Sequence, residues 1–178
     1  MKSDVISITN HGDGFEQALE ETRKVSAYKG LGQKDSLHMT LFTEEMLSMA
    51  RIVSGDMTAY FWIETEGDTF DLHMTTNTTL DKTKRAQLLD AATTRKNEAA
   101  NSFLGKIRDA FEQALSLDPE NSDMPYGLEL DVFSLQSPEP EWGEFECSIL
   151  RKLANEVKVS IRGSVLDMVV RKTLKEQA

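Results

Sequence analysis

The chain has 178 residues, which is enough for one domain with a hydrophobic core and short for two. It carries 20 Lys and Arg against 30 Asp and Glu, and this net charge of −10 argues against nucleic acid or an anionic membrane as partner. A lone cysteine, Cys147, excludes an internal disulfide and a multi-cysteine zinc site. Since the sequence shows neither a signal peptide nor a membrane span, we expect a single cytoplasmic domain over residues 1–178.

Hydrophobic periodicity predicts groups of strands and helices. Apolar residues recur at every second position in two hairpins and at helical spacing between them. In chain order, the expected elements are a strand at 5–9, a glycine turn at 11–14, helices at 15–28 and from about 35 to 53, a hairpin over 58–75, helical residues from 81 to about 115 with a break near 93, a short helix at about 145–154 and a second hairpin over 157–170. Because strands arrive in hairpins and helices are grouped between them, we predict an α+β fold, a two-layer sandwich with helices on one face of a mixed, largely antiparallel sheet.

Two stretches stand out by their charge. Residues 118–146 contain all four prolines and nine acids without any Lys or Arg, which predicts a long acidic insertion with one strand near 128–132. Residues 82–108 contain seven cations against two acids. This basic stretch is either an exposed helix balanced by the acidic insertion, or a surface that meets phosphate or an acidic partner.

The second predicted helix carries one carboxylate at the edge of an apolar stripe. At about 100° per residue, Glu45 lies at the margin of this stripe, whereas Glu44 lies nearly opposite and should be solvated. Glu45 is therefore a candidate general base, and its other reading is a carboxylate hydrogen-bonded at the core margin. The stripe consists of Met39, Phe42, Met46, Met49, Ala50 and Val53.

Three parts of the chain resemble, in this order, the GHKL fold: residues 15–49, the hairpin over 58–76, and residues 148–159, which lead into the second hairpin. This is the ATP-binding domain shared by anti-sigma factor serine kinases, histidine kinases and DNA gyrase, and the nearest branch is that of the small bacterial anti-sigma kinases. In that family a Glu on the second helix orients or deprotonates the attacking hydroxyl, and an Asn four residues later holds magnesium. Glu45 matches the Glu, but Met49 stands at the Asn position, and a thioether is a poor magnesium ligand.

The two glycine motifs of the family are also incomplete. Where the family has Asp-x-Gly-x-Gly, residues 75–81 contain no glycine, and the resemblance leaves Asn77 as the candidate contact to adenine. The glycine-rich phosphate turn is reduced to Gly143 with carboxylates beside it, or, at an alternative place over residues 102–106, to the single Gly105. Arg95 and Lys96 occupy the place of the family's mobile lid, where the resemblance implies contact with phosphate or an acidic partner.

Since all three motifs are incomplete, we expect a non-catalytic regulatory domain of the anti-sigma factor type that binds a protein partner, a sigma factor or another regulator, in bacterial signalling. The alternative is a nucleotide-binding protein with residual ATP binding or weak serine kinase activity that uses Glu45, Asn77, Arg95 and Lys96. We expect no metal site and no cofactor, and ATP with magnesium belongs to the alternative alone. Homodimerisation stays open, as does a different two-layer fold with the same order of elements.

Overall fold

The computed structural model describes residues 1–53, 58–100 and 144–174. Within these ranges the chain forms five strands, four α-helices and one 3-10 turn. In chain order the elements are β1 (Ile6–Ile8), α1 (Phe15–Tyr28), α2 (Gln33–Val53), β2 (Ala59–Glu66), β3 (Thr69–Asn77), α3 (Lys82–Ala91), the 3-10 turn (Glu98–Ala100), α4 (Glu144–Leu153), β4 (Glu156–Arg162) and β5 (Val165–Thr173). In the same ranges, no helix is both long and apolar enough to cross a lipid bilayer.

The strands form one antiparallel sheet in the order β1-β2-β3-β5-β4. Its centre joins the two hairpins, because β3 pairs along its whole length with β5, from Thr69 opposite Thr173 to Asn77 opposite Val165. The last strand in the chain therefore lies inside the sheet and β4 lies at its edge. All described strand pairs are antiparallel, so the parallel pairing implied by a mixed sheet is absent from these strands.

One face of the sheet is buried and the other is half-exposed, as period-two alternation requires. In β2 and β3 the side chains of Phe61, Ile63, Leu72 and Met74 are at most 1% exposed and belong to the same core as the apolar face of α2. Each such buried side chain contributes about 1.5–3 kcal/mol to folding. The protein is therefore an α+β two-layer sandwich with its helices on one face of the sheet.

A buried polar contact fixes helices α1 and α2 against each other. The hydroxyls of Thr22 and Thr43 lie 2.8 Å apart and are fully buried. Ala18 O and Met39 O, each one turn earlier in its helix, also lie within hydrogen-bond distance of Thr22 and Thr43 respectively. Since a hydroxyl has one proton, one threonine donates to the other, and the second donates to its own carbonyl. Because both side chains are satisfied, this contact sets the register of the two helices without a desolvation penalty.

The glycine turn between β1 and α1 is confirmed as a strand-to-helix turn. Thr9 N–H donates to Asp13 O and Gly12 N–H donates to Thr9 O, which closes a tight loop. Gly14, the N-cap of α1, has a φ of 84°, and a Cβ placed on it would lie 2.0 Å from the carbonyl oxygen of Ser7. The turn therefore requires glycine at position 14 both for its backbone angle and for the close approach of β1.

Several element boundaries differ from the predicted ones. Helix α2 begins at Gln33 instead of near 35, because Ser36 N–H already donates to Gly32 O. Helix α4 begins at Glu144, so the acidic insertion predicted over 118–146 ends earlier than expected. The rest of that insertion, its strand near 128–132 and the helical residues after 100 lie outside the described residues.

Candidate functional site

The structure confirms the arrangement of the two carboxylates on α2. Glu45 is half-buried at the margin of the apolar face and Glu44 is exposed. The stripe residues whose side chains are described, Met39, Phe42, Met46, Met49 and Ala50, are each at most 2% exposed. The apolar face of α2 is therefore packed in the core, and the carboxylate of Glu45 lies beside it.

Met49 is a core residue, not part of an open site. It lies one helical turn after Glu45 and is 2% exposed within the apolar cluster shared by the helices and the sheet. The position four residues after Glu45, where the resemblance implies the magnesium ligand, therefore holds a buried thioether and no oxygen. Within the described residues, no group of three or more His, Cys, Asp or Glu side chains could hold a metal ion.

Asn77 lies apart from Glu45. It is the exposed last residue of β3, and alternation along β3 places it with Asp71, His73 and Thr75 on the half-exposed face of the sheet. Glu45 belongs to α2, which packs on the other face. The structure thus does not bring these two candidates together, although the sequence grouped them in one pocket under the ATP-binding alternative.

The segment 93–97 is attached to the edge strand β4. Thr93 exchanges two hydrogen bonds with Val157, from its N–H to Val157 O (2.9 Å) and from Val157 N–H to its hydroxyl (2.7 Å). Asn97, 4% exposed, donates to Ile161 O (2.9 Å) and accepts from Ile161 N–H (2.8 Å). Two side chains thus satisfy backbone groups of β4 as another strand would, which protects this edge of the sheet.

Between these two attachment points the segment presents two cations to solvent. Arg95 has a φ of 54° and Lys96 is exposed. Arg95 Nε lies 3.2 Å from Asp90 Oδ1 at the end of α3, and Arg151 Nη1 of α4 lies 3.7 Å from Asp90 Oδ2. We call Arg95, Lys96, Arg151 and Lys152 the basic cluster; Asp90 lies between its two arginines.

Only two of the four residues in this cluster were candidates from the sequence. Sequence reasoning singled out Arg95 and Lys96 within the basic stretch, but not Arg151 and Lys152 in the last turn of α4. The signal available was a pair of cations at a helix end, which is usual for electrostatic reasons alone. Only the packing of α3 against α4 brings Arg151 to Asp90.

Aromatic residues lie on the half-exposed face of the sheet, away from the helices. The rings of Trp62 and His73, on neighbouring strands, stack with centroids 4.9 Å apart and planes 2° from parallel. Trp62 Nε1–H donates to Glu64 (2.9 Å), and Lys2 Nζ lies over the indole, 4.7 Å from its centroid. Tyr60 is 44% exposed on the same face. From the sequence, Trp62 and Tyr60 share one strand face and either pack beneath the helices or mark an interface; the structure excludes packing beneath the helices.

Charges near a hollow on this face are already paired with one another. The hollow, about 810 Å³, is lined by Lys2, Glu64, Asp71 and Arg171 among others. Arg171 donates to both carboxylate oxygens of Asp71 (2.7 and 2.8 Å), which lowers the pKa of that carboxyl, and Lys2 lies 3.0 Å from Glu64. Each cation here has its own carboxylate, whereas the two arginines of the basic cluster share one.

We expect His73 to make stability depend on pH near neutrality. Burial lowers the pKa of His73 below its ordinary value of 6.5, against a smaller opposing effect of Glu64. The unfolded chain then binds the proton more readily, so stability is full above about pH 6.5 and falls at lower pH, by at most about 1.4 kcal/mol per pH unit. Urea unfolding between about pH 7.5 and 5.5 should show a smaller decrease for His73→Gln than for the unchanged protein.

The exposed His11 supplies the matched control for this measurement. Burial also lowers the pKa of His38, so His73→Gln should reduce the pH dependence without abolishing it. A decrease in His73→Gln equal to that in His11→Gln would contradict the contribution of His73.

The comparisons with known proteins add no relative to this picture. No protein-family model matches the chain, and no curated protein matches it either. Three features of the structure therefore bear on function: the buried Met49, the segment attached to β4, and the basic cluster.

Proposed function

We propose that this protein is a regulatory domain of the GHKL type, similar to bacterial anti-sigma factor kinases, that acts in the cytoplasm by binding a protein partner and does not transfer phosphate. The observed order of helices and strands agrees with the order on which the resemblance depends. The helical layer on one face of the sheet also agrees with the fold that the resemblance implies. These agreements support the part of the proposal that concerns the fold. The incomplete motifs support the part that concerns loss of catalysis.

The observation that carries the proposal is the burial of Met49. A kinase of this family needs an oxygen ligand for magnesium one turn after the catalytic Glu, and magnesium strongly prefers oxygen donors. Here that position is a thioether that is 2% exposed in the core. Opening a magnesium site there would therefore require repacking of the core as well as a change of side chain.

The segment 93–97 supports a protein partner over a nucleotide. A lid that closes on a nucleotide must change position, and lids come from the least stable parts of a fold. Thr93 and Asn97 instead make four hydrogen bonds to β4 and hold the segment against the sheet. Arg95 and Lys96 are left on an exposed, fixed turn, which suits recognition of another protein surface.

Thermal unfolding with millimolar ATP or ADP, with and without magnesium, tests the proposal. We expect no magnesium-dependent shift. A nucleotide present at about 100 times its dissociation constant would stabilise the protein by about 2.7 kcal/mol, a shift of about 5 °C or more for a chain of this size. Such a shift would overturn the proposal in favour of residual ATP binding, and phosphorylation of serine would then be the activity to measure.

Met49→Asn sharpens the same test. The substitution places the family's ligand type one turn after Glu45, but it also buries an amide among apolar side chains. We expect a loss of about 1–3 kcal/mol in stability without any gain of a magnesium-dependent shift. Met49→Leu conserves volume and should cost less than about 1.5 kcal/mol. Stabilisation of Met49→Asn by magnesium and ATP would contradict the expectation that core packing closes this position, and would show that a nucleotide pocket survives beside Met49.

A further inference from the structure

Two exposed arginines from distant parts of the chain meet at one carboxylate. Arg95 lies in the segment after α3 and Arg151 lies in the last turn of α4, and Asp90 contacts both, at 3.2 and 3.7 Å. The arginine side chains are 60% and 36% exposed. Lys96 and Lys152, next to them in sequence, are exposed as well, so among the described residues the cluster brings four cations to the neighbourhood of Asp90.

We infer that this basic cluster is a docking site for a protein segment rich in aspartate and glutamate. The inference rests on the proposed function, and it names the chemistry of the partner. Each guanidinium has five N–H donors in a planar fork that fits a carboxylate with two parallel hydrogen bonds. Each ion pair with Asp90 joins one nitrogen to one carboxylate oxygen, and side chains that are 60% and 36% exposed can donate to incoming carboxylates as well.

The backbone holds Arg95 in place before any partner binds. A φ of 54° is uncommon for a residue with a side chain, and here the hydrogen bonds of Thr93 and Asn97 to β4 maintain it on either side. Arg151 is positioned by a helix that packs against α2 and α3. Because both arginines start from ordered elements, less conformational entropy is lost when a partner orders them.

Charge decides between an acidic protein segment and a nucleic acid. The whole chain has a net charge of −10, so a long polyanion that extends past the cluster meets repulsion from the rest of the surface. Duplex DNA carries one charge per about 1.7 Å and cannot confine its charge to one small patch. A short acidic segment places its carboxylates on the cluster alone, and it is the occupant that this charge distribution favours.

Fluorescence anisotropy with a short labelled poly-L-glutamate tests the inference on the full chain. We compare the unchanged protein with a double variant, Arg95→Asn with Arg151→Gln. Asparagine tolerates positive φ and glutamine is a good helix former, so the variant should keep its fold, as checked by thermal unfolding. We expect binding at low ionic strength, weaker binding at physiological salt, and an affinity lowered about tenfold in the double variant.

The matched control removes the same net charge elsewhere. Arg23→Gln with Lys24→Gln changes two exposed cations on α1 and should leave the affinity for poly-L-glutamate within about twofold, the size of a screened long-range effect. Equal weakening by both double variants would overturn the site in favour of general electrostatics. Absence of binding by the unchanged protein would overturn it as well, as would tighter binding of a single-stranded oligonucleotide than of poly-L-glutamate.

Arg95→Gly provides an independent check. Glycine adopts the observed φ without strain, so this variant loses the guanidinium while its turn stays compatible with the fold. Weaker binding at unchanged melting temperature supports the site, and unchanged affinity contradicts the role of Arg95. These outcomes are separate from the nucleotide experiment, because a magnesium-dependent shift overturns the proposed function and poly-L-glutamate binding does not bear on magnesium.

Discussion

Gly14→Ala should lower the free energy of unfolding by about 3 kcal/mol or more. Two independent effects add at this position. A residue with a Cβ must adopt a φ of 84°, which costs about 1–2 kcal/mol, and its Cβ would stand 2.0 Å from the carbonyl oxygen of Ser7. That oxygen belongs to the backbone of β1, so it can move away only by displacing the strand from Tyr60 of β2. Chemical denaturation with urea measures the loss.

Gly30→Ala is the matched control for this prediction. Gly30 follows the C-terminal end of α1 with a φ of 66°, but a Cβ there would meet no atom within 4 Å. Gly30→Ala should therefore lower the free energy of unfolding by about 1 kcal/mol, because only the unfavourable backbone angle contributes. The difference between the two variants isolates the close approach of β1 to α1. Equal losses in the two variants would show that the turn yields and that the contact with Ser7 is unimportant.

Asn97→Ala should lower the free energy of unfolding by about 2–5 kcal/mol. The side chain of Asn97 is the partner of both backbone groups of Ile161, and it also accepts from Ala99 N–H. Truncation leaves an N–H and a C=O of β4 without this partner at a residue that is only 2% exposed, and each such group costs about 1–3 kcal/mol. Urea unfolding gives the magnitude, and amide hydrogen exchange at Ile161 should become faster than at its β5 neighbour Leu166.

Thr94→Ala is the control from within the same segment. Thr94 is exposed, and its hydroxyl donates to Glu98 at 3.2 Å in contact with solvent. This substitution should change stability by no more than about 0.5 kcal/mol. If Asn97→Ala were as mild, water would be replacing the amide at the sheet edge, and the segment 93–97 would not be held by these bonds.

The parts of the fold that depend on local pattern could be predicted from the sequence. The stripe on α2 identified Glu45 as the carboxylate at the core margin and Glu44 as the solvated one, and both placements are confirmed. Alternation in the two hairpins likewise divided the side chains of β2 to β5 into two faces, although it did not decide whether Tyr60 and Trp62 lie on the buried one. These features depend on residues a few positions apart, for which periodicity is a direct physical signal.

The arrangement between distant elements could not be predicted in the same way. Nothing in the alternation of a hairpin says which strand it will join, so the position of β5 between β3 and β4 was not foreseen. The attachment of Asn97 to Ile161 joins residues 64 positions apart, and in the sequence Asn97 is an ordinary polar loop residue. The meeting of Arg95 and Arg151 at Asp90 has the same origin, since it follows from the packing of two helices.

The pairing of β3 with β5 has a consequence for how the chain folds. Arg171 donates to Asp71, 100 residues earlier in the sequence, across the two strands that join the hairpins. The chain loses the entropy of closing so long a loop before the contacts between β3 and β5 can stabilise it. Folding is therefore slower than that of helical proteins of the same size. During synthesis β3 emerges well before β5. The backbone N–H and C=O groups of β3 that pair with β5 in the folded protein are therefore unpaired until β5 has been made. The period of greatest risk for aggregation therefore falls between the synthesis of these two strands.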